Sequence, residues 1–559
     1  MTGTPHRRAL VALAVSAAVL NAVLLGGSDR AWLLAAWLPD DAFYSLLPAW
    51  NAGQGDGFTF DGRGLTYGWQ PLWTLLAATV ASVCPTRAVF LGVMLGTGAA
   101  LHLATGAFLF RWLEGAGRAT AGLAAATVWL LGPDLLRVSA TGMESGLVGA
   151  LLAGVLLARQ RRLPAAWLGA LVGLLFLARV TTLPLAVLLV ALVARDRRQD
   201  GVWFLASFGL VTLPWLGFAH GHFGQALPTS GSRKLIEGLA GLATFASSTP
   251  FVGETLAASW VPERAARLVG AEGLAAPSLR SFWRLGARAT AGWAWGHWLP
   301  GGVSLLDAAR AVGVLLLGGA ALRGRWTAGF GRPLLLLGSF ALAHAAVHHL
   351  LLAGYVEYGY WYRVPELIFA VVLAGLAVEA ALAGPWRQAG LVGAGLLGAI
   401  GLAASVGHAR PRQGAPDADR YATGVLALEG SVNALPADAV VGSWNAGLVG
   451  WIAEGPSVVN LDGLANDRAF VRVAIDEVLF RHGLADGNPT LEYLDEAGIG
   501  YLVDIQPLDG LGTAPFYGVV PAPRYAPVAR SAAITHWAGT ERDHAVALVQ
   551  VLPKDRAGP

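Results

Sequence analysis

The sequence predicts a polytopic α-helical membrane protein carrying a C-terminal extracytoplasmic domain of α/β or α+β type. Three observations predict it. The 559 residues are 55% hydrophobic and 13% charged, against about 25% charged in an ordinary soluble domain, and the mean hydropathy is +0.54. Runs of Leu, Ala, Val and Gly recur from residue 9 to residue 407, many approaching the ~20 apolar residues that cross a bilayer. Beyond residue 407 the polar segment HARPRQGAPDADR gives way to short apolar runs that alternate with helical patches.

Arginine sets the expected orientation. Clusters at Arg7–Arg8, Arg111 to Arg118, Arg159 to Arg162, Arg195 to Arg198, Arg323 to Arg325 and Arg387 all fall in short loops. Placing them all in the cytoplasm gives one consistent path. Helices are then expected at 9–27, 88–110, 119–133, 145–158, 163–178, 182–194, 202–218, 301–322, 333–353, 366–383 and 389–407. That makes about eleven crossings, with a cytoplasmic N-terminus and an external C-terminal part. The N-terminal apolar run reads as a retained first helix, since no small-residue cleavage site precedes Asp40. Segment 71–84 is apolar, but a full crossing there would invert every later loop, so it reads as juxtamembrane or re-entrant.

This layout divides the chain into a membrane part, 1–407, with external loops 28–87 and 219–300, a linker, 408–417, and a soluble part, 418–559. In the soluble part, 439–443, 457–461, 499–505 and 544–552 read as strands. Five segments gather on the expected outer face: 28–87, 133–145, 179–182, 219–300 and 355–366. They hold all the unusual polar residues of the membrane part.

Composition excludes some classes. The net charge of +3 is small for the length, and the arginines serve topology, so no nucleic-acid surface is expected. No Walker loop appears, so a nucleotide sugar is disfavoured as direct donor. Cys84 is the only cysteine, which excludes an intramolecular disulfide and a cysteine metal site. Lys234 and Lys554 are the only lysines beside abundant Arg, Ala and Gly, the usage of a GC-rich bacterial genome.

The residues that point to chemistry begin with Asp40 and Asp41. A carboxylate beside an acceptor hydroxyl can take its proton, and a second acid can raise the first one's pKa or help hold a metal. The competing reading is an N-cap, since a helical stretch follows Asp41. Glu144 reads either as an acceptor or metal ligand, or as an acid favoured by a helix N-terminus. Arg363, Lys234, Arg233 and Arg179 are candidate partners for a phosphate, Arg363 foremost because guanidinium pairs bidentately. Snorkelling to headgroups is the alternative. Asp462 reads as an Asp-Gly turn or as an acceptor contact. His344 and His348 share a helix face at i, i+4. With Glu357 they leave room for a metal, but HAAVHH carries no supporting ligand motif, which favours polar contacts inside the bundle or with phosphate.

The stretch DDAFYSLLPAWNAGQGDGFTFDG…GWQPLW resembles the first external loop of GT-C glycosyltransferases. These polytopic enzymes take a sugar from a polyprenyl-phosphate carrier at the extracytoplasmic face. The pattern is similar to bacterial arabinofuranosyltransferase-like and protein O-mannosyltransferase-like enzymes. Its pieces are Asp40–Asp41, Gly55 to Phe60 and Gly68 to Trp73. The resemblance continues in order through Thr141 to Ser145, Phe223–Gly224 with Leu227 to Gly231 and Lys234, Tyr360 to Glu366, and Val459 to Leu464.

It implies a membrane hexosyl- or pentosyltransferase acting on a cell-envelope glycan or glycoconjugate in the bacterial plasma membrane. Asp40 or Asp41 would be the base and Glu144 the acceptor or metal support. Arg363, Lys234 and Arg179 would hold the donor phosphate. Tyr67, Trp69, Gln70, Tyr362, His348 and His349 would line the pocket. The chain departs from the pattern at Arg179-Val180-Thr181, where a third acid is absent. No cofactor is required by the residues, although a divalent cation fits the chemistry. A lipid-linked glycan transporter and a non-catalytic envelope scaffold are the rival expectations.

Overall fold

Apolar segments in lipid satisfy their backbone hydrogen bonds internally by forming helices. The computed structural model describes residues 4–26, 30–231, 331–351, 360–383, 417–466, 470, 473, 476–477, 488–512, 515–516, 519–532, 534 and 543–553. The membrane part begins with α1 (Thr4–Gly26) and the short α2 (Arg30–Trp32), which runs into a π-helical turn, Leu33–Trp37. There follow α3 (Asp40–Gln54), α4 (Pro71–Ala81), α5 (Arg87–Gly115), α6 (Ala119–Leu131), α7 (Pro133–Ser139) and α8 (Ser145–Gln160). Then come α9 (Ala165–Ala178), α10 (Leu183–Asp196), α11 (Arg198–Phe223), α12 (Gly331–Leu351) and α13 (Val364–Ala383).

Nine of the expected crossings lie among the described residues, and each is helical; those at 301–322 and 389–407 lie outside them. Four helices among the described residues are long and apolar enough to cross a membrane: Pro5–Val23, Arg87–Gly115, Arg198–Phe223 and Val364–Leu382. These four candidate spans do not by themselves confirm the expected count of about eleven crossings. At 11 residues, α4 is about 16 Å long. That is half the hydrocarbon thickness and accords with a segment that does not cross by itself.

Thr86 caps α5, its hydroxyl accepting from the Val89 N–H at 3.3 Å. The 29 residues of α5 span about 43 Å and separate two ends of different character. At the C-terminal end Arg7 meets Glu114 at 2.9 Å, and nearby Arg118 meets Glu379 at 3.1 Å. At the N-terminal end the Arg87 guanidinium donates to the Trp451 carbonyl of the C-terminal domain at 3.0 Å. The Arg7–Glu114 and Arg118–Glu379 pairs thus lie at the end of α5 remote from that domain.

The C-terminal part contains α14 (Asp417–Ala427), α15 (Glu429–Asn433), β1 (Val440–Ser443), α16 (Ala446–Ile452), β2 (Ser457–Asn460), α17 (Pro489–Glu496), β3 (Tyr501–Pro507), β4 (Tyr525–Arg530) and β5 (His544–Val551). The five strands form one sheet in the order β2-β1-β3-β5-β4. β1 is parallel to β2 and β3, while β5 is antiparallel to β3 and β4. Four strands match those expected from alternation. β4 is not among the expected strands; it contains Pro527 and lies at the sheet edge, where a missing N–H is tolerated. The linker expected at 408–417 lies, but for Asp417, outside the described residues.

Both faces of the sheet are covered. Val441, Val503, Ile505, Val546 and Leu548 point into a core shared with Phe43, Leu46, Leu47, Phe60 and Trp73 of the first loop. Their alternating neighbours Val440, Leu502, Ala547 and Val549 point into a core with Phe470 and Phe516. The C-terminal domain is therefore seated on the first loop. The Arg30–Glu429 pair at 2.7 Å and the Ser457 hydroxyl donating to the Asp61 carbonyl at 2.6 Å tie the same joint. The fit is close at Gly68, where an added Cβ would stand 1.5 Å from the Leu464 carbonyl oxygen. Gly68→Ala is expected to cost about 1–3 kcal/mol, the usual range for overpacking. It should also raise the rate of proteolysis at the joint; cleavage and melting like wild type would refute the fit.

Candidate active site

Four segments that are distant in sequence meet beneath the seated domain, and each is placed by a local cause. α3 starts after Pro39, whose φ of −69° and ψ of 154° end the preceding turn. Asp40 and Asp41 therefore occupy the first turn of α3, where the dipole favours acids. Gly142 turns the 140–144 tip at a φ of +75°, with Leu38 and Leu46 packed against it, and this presents Glu144 just before α8. Arg179 leaves α9 extended, at φ −157°. Tyr362 closes a 3-10 turn, Tyr360–Tyr362, ahead of α13.

The two aspartates do different things. Asp40 is half-buried, and its Oδ2 accepts from the Gly447 N–H at 3.0 Å and its Oδ1 from the Leu448 N–H at 2.7 Å. It thus caps α16 of the other domain rather than its own helix. Burial is the largest influence on its carboxyl, the Asp41 charge adds to it, and the two amides oppose; the net effect pushes the pKa up from 3.8 to about 6. Asp41 is half-buried, and its Oδ2 accepts from the Tyr362 hydroxyl at 3.2 Å. The expectation that either aspartate could serve as base is narrowed, because both oxygens of Asp40 are directed at backbone amides.

The raised Asp40 pKa has a consequence for stability. The folded value lies above the unfolded one, so the folded form binds the proton more tightly between pH 3.8 and about 6. Stability from this group is full below that window and falls as pH rises through it. Between those pH values the melting temperature of wild type is expected to fall relative to that of Asp40→Asn. Parallel curves for the two proteins would remove Asp40 as the cause.

Glu144 and Arg179 are both 2% exposed. The Arg179 Nε donates to Glu144 Oε1 at 3.0 Å and Nη2 to the same oxygen at 2.5 Å. Nη1 donates to the Trp361 carbonyl at 2.9 Å. The guanidinium also lies 4.8 Å from the centroid of the Tyr362 ring, a cation–π distance. The partner of Glu144 is Arg179, 35 residues further on. Arg179 was expected among the phosphate ligands. It instead directs these donors into the protein, because a buried carboxylate without a cation is costly.

The remaining expected residues divide. Gln70 joins the site, its Oε1 accepting from the Val180 N–H at 3.2 Å. Tyr67 and Trp69, 2% and 1% exposed, sit in an aromatic cluster with Phe223, Phe58 and Trp215. The Tyr67 hydroxyl accepts from Trp215 Nε1 at 2.9 Å and donates to the Ala226 carbonyl at 3.2 Å. Its own carbonyl accepts from the Thr229 N–H at 2.8 Å. Tyr67 thus holds the chain at Ala226 and Thr229, while Trp69 Nε1 donates to the Thr66 carbonyl at 2.9 Å.

Arg363 is exposed directly beside Tyr362. His344 is fully buried, with Nδ1 2.9 Å from Glu366 Oε1 and Nε2 3.3 Å from Thr181 Oγ1, so its polar partners lie inside the bundle. Lys234 and the side chains of His348 and His349 lie outside the described residues, as does Glu357. Asp462 makes the expected turn: its Oδ1 accepts from the Leu464 N–H at 2.7 Å, and Gly463 has a φ of +76°.

Among the described residues no group of three His, Cys, Asp or Glu side chains could hold a metal ion.

Four contributors are missing from the residues singled out in the sequence. They are the amides of Gly447 and Leu448, the Trp361 carbonyl, and Asp504 in β3. The backbone groups leave no trace in residue identity. Asp504 does, since a charge inside the apolar run YLVDIQP is out of place unless it is bonded.

No protein-family model and no curated protein sequence matches the chain. Among solved structures it is similar to the oligosaccharyltransferase of Archaeoglobus fulgidus in its apo form. The TM-score is 0.51 at 14% identity, over 90% of this chain and 70% of that one. It is similar to the same archaeal enzyme, AglB, in complex with an inhibitory peptide and a dolichol-phosphate. There the TM-score is 0.51 at 13% identity, over 90% and 69%. At such identity the likeness carries the fold: an oligosaccharyltransferase-like GT-C architecture of apolar helices with a C-terminal sheet domain.

Proposed function

We propose that the chain is a membrane glycosyltransferase that takes a sugar from a polyprenyl-phosphate carrier and passes it to a cell-envelope glycan or glycoconjugate at the extracytoplasmic face. One observation carries the reading. A half-buried carboxylate, Asp41, stands at the meeting point of the first loop, the 360–363 turn and a buried Glu144–Arg179 pair. That meeting point lies at the end of the bundle away from the arginine loops. The GT-C fold supports the class, and the dolichol-phosphate held by the archaeal neighbour supports a lipid-phosphate donor.

Asp41 takes the proton of an acceptor hydroxyl while the hydroxyl oxygen bonds to the anomeric carbon. The bond from that carbon to the phosphate oxygen breaks with inversion, and the phosphate leaves on its lipid. The Tyr362 hydroxyl holds Asp41 in place from the side. Arg363, exposed beside Tyr362, is the cation for the leaving phosphate, joined by Lys234. Glu144, fixed by Arg179, supports the acceptor from beneath. The donor sugar is a hexose or a pentose, arabinofuranose among the latter.

The test uses the purified full chain in vesicles with labelled polyprenyl-phosphate hexoses and pentoses and an envelope glycan extract. Label appearing in glycan supports the reading. Label that crosses the bilayer without transfer indicates a transporter, and neither outcome indicates a scaffold.

A further inference from the structure

Asp504 lies at the centre of β3 and is fully buried. Its Oδ2 accepts from the Trp444 N–H at 2.9 Å, the Asn445 N–H at 3.0 Å and the Ser443 hydroxyl at 3.3 Å. Its Oδ1 accepts from Asn445 Nδ2 at 2.9 Å and from the Ile505 N–H at 2.8 Å. Burial raises the pKa of this carboxyl, and the backbone and side-chain donors of Asn445 pull against it. A single carboxylate accepting five bonds holds the β1–α16 turn rigidly. The Tyr421 hydroxyl adds a bond to the Asn445 carbonyl at 2.7 Å.

That turn sets where α16 begins, and therefore where the Gly447 and Leu448 amides point. Both are bonded to Asp40. The contact is tight, because a Cβ on Gly447 would stand 2.1 Å from the Asp40 carbonyl oxygen and 2.8 Å from its Cγ. Asp40 is covalently joined to Asp41, and both lie in the first turn of α3. A shift of α16 therefore moves Asp41 relative to Tyr362.

We infer that Asp504 is a positioning residue for the transfer reaction: through the 443–445 turn, α16 and Asp40 it places the Asp41 carboxylate. This rests on the reading of Asp41 as base. It makes the C-terminal domain part of the catalytic apparatus. Misplacement of a reacting group by about 1 Å is enough to cost ~100-fold in rate.

The experiment compares wild type, Asp504→Asn, Gly447→Ala, Asp41→Asn and the Asp504→Asn/Asp41→Asn double variant as full-length chains in vesicles. It reads kcat, the KM for donor and the melting temperature. Asp504→Asn turns one acceptor oxygen into an N–H₂ that faces amide donors, so the turn must shift. The expected result for Asp504→Asn and for Gly447→Ala is a kcat lower by about 10–100-fold with the donor KM within about twofold. Asp41→Asn should then cost much less on the Asp504→Asn background than on wild type, since positioning has already been lost. A residue that serves only to stabilise the domain would lower the melting temperature and leave kcat and the Asp41 effect unchanged; that result overturns the inference. Should Asp504→Asn not fold, Asn445→Ala removes one partner bond and carries the same comparison. Absence of transfer by wild type refutes the glycosyltransferase reading, whereas active wild type with additive variants refutes the positioning role alone.

Discussion

Asp41→Asn is expected to lower the rate of sugar transfer by about 10²–10⁴-fold, the range that a positioned general base contributes. The fold should survive the change. An asparagine oxygen can still accept from the Tyr362 hydroxyl, which now reaches Asp41 Oδ2 at 3.2 Å, and the half-buried site has room for an amide. What disappears is the group that takes the acceptor's proton. Asp40→Asn should behave differently. One of its atoms would become an N–H₂ aimed at the N–H of Gly447 or Leu448, where a carboxylate oxygen now accepts. That variant should lose stability at the domain joint as well as activity. The comparison needs initial rates and melting temperatures for both proteins at one pH. Transfer by Asp41→Asn within about threefold of wild type, with Asp40→Asn inactive but fully stable, would move the base to Asp40.

Much of this site is visible in the amino-acid order, and the part that is not has a physical reason. The acidic pair, the Glu144 tip, the 179–182 tip and the Tyr360 to Glu366 segment can all be placed at one end by arginine counting alone. Hydropathy and charge act over whole segments, so they give the end of the bundle at which a residue lies. They do not give its neighbour. Which acid binds which cation depends on how helices rotate and pack, and so the pairing of Glu144 with Arg179 and the diversion of Asp40 to backbone amides come only with the structure. Tyr67 and Trp69 illustrate the same limit. An aromatic in a polar loop reads as a sugar platform or as core, and here packing with Trp215 and Phe223 makes it core. Asp504 is the opposite case. Its place in an apolar strand marks it in advance as a residue whose partners have to be found.

The largest stability effect is expected at Arg179. Arg179→Met leaves the Glu144 carboxylate, 2% exposed, without its cation and removes a donor from the Trp361 carbonyl. Breaking a buried pair from one side costs about 3–5 kcal/mol. Replacing both partners, as Glu144→Leu/Arg179→Met, should return most of that loss, because no unpaired charge stays buried and the Ser145 hydroxyl still donates to the Trp361 carbonyl at 3.1 Å. Activity separates the two roles of the pair. If Glu144 serves only to anchor Arg179, the double variant regains transfer along with stability. If Glu144 supports the acceptor and Arg179 holds the Tyr362 ring from 4.8 Å, the double variant folds and stays slow. The second outcome is the expected one. Denaturation in detergent micelles and transfer rates in vesicles, measured on the two single variants and the double, decide it, and a double variant as active as wild type would confine the pair to structure.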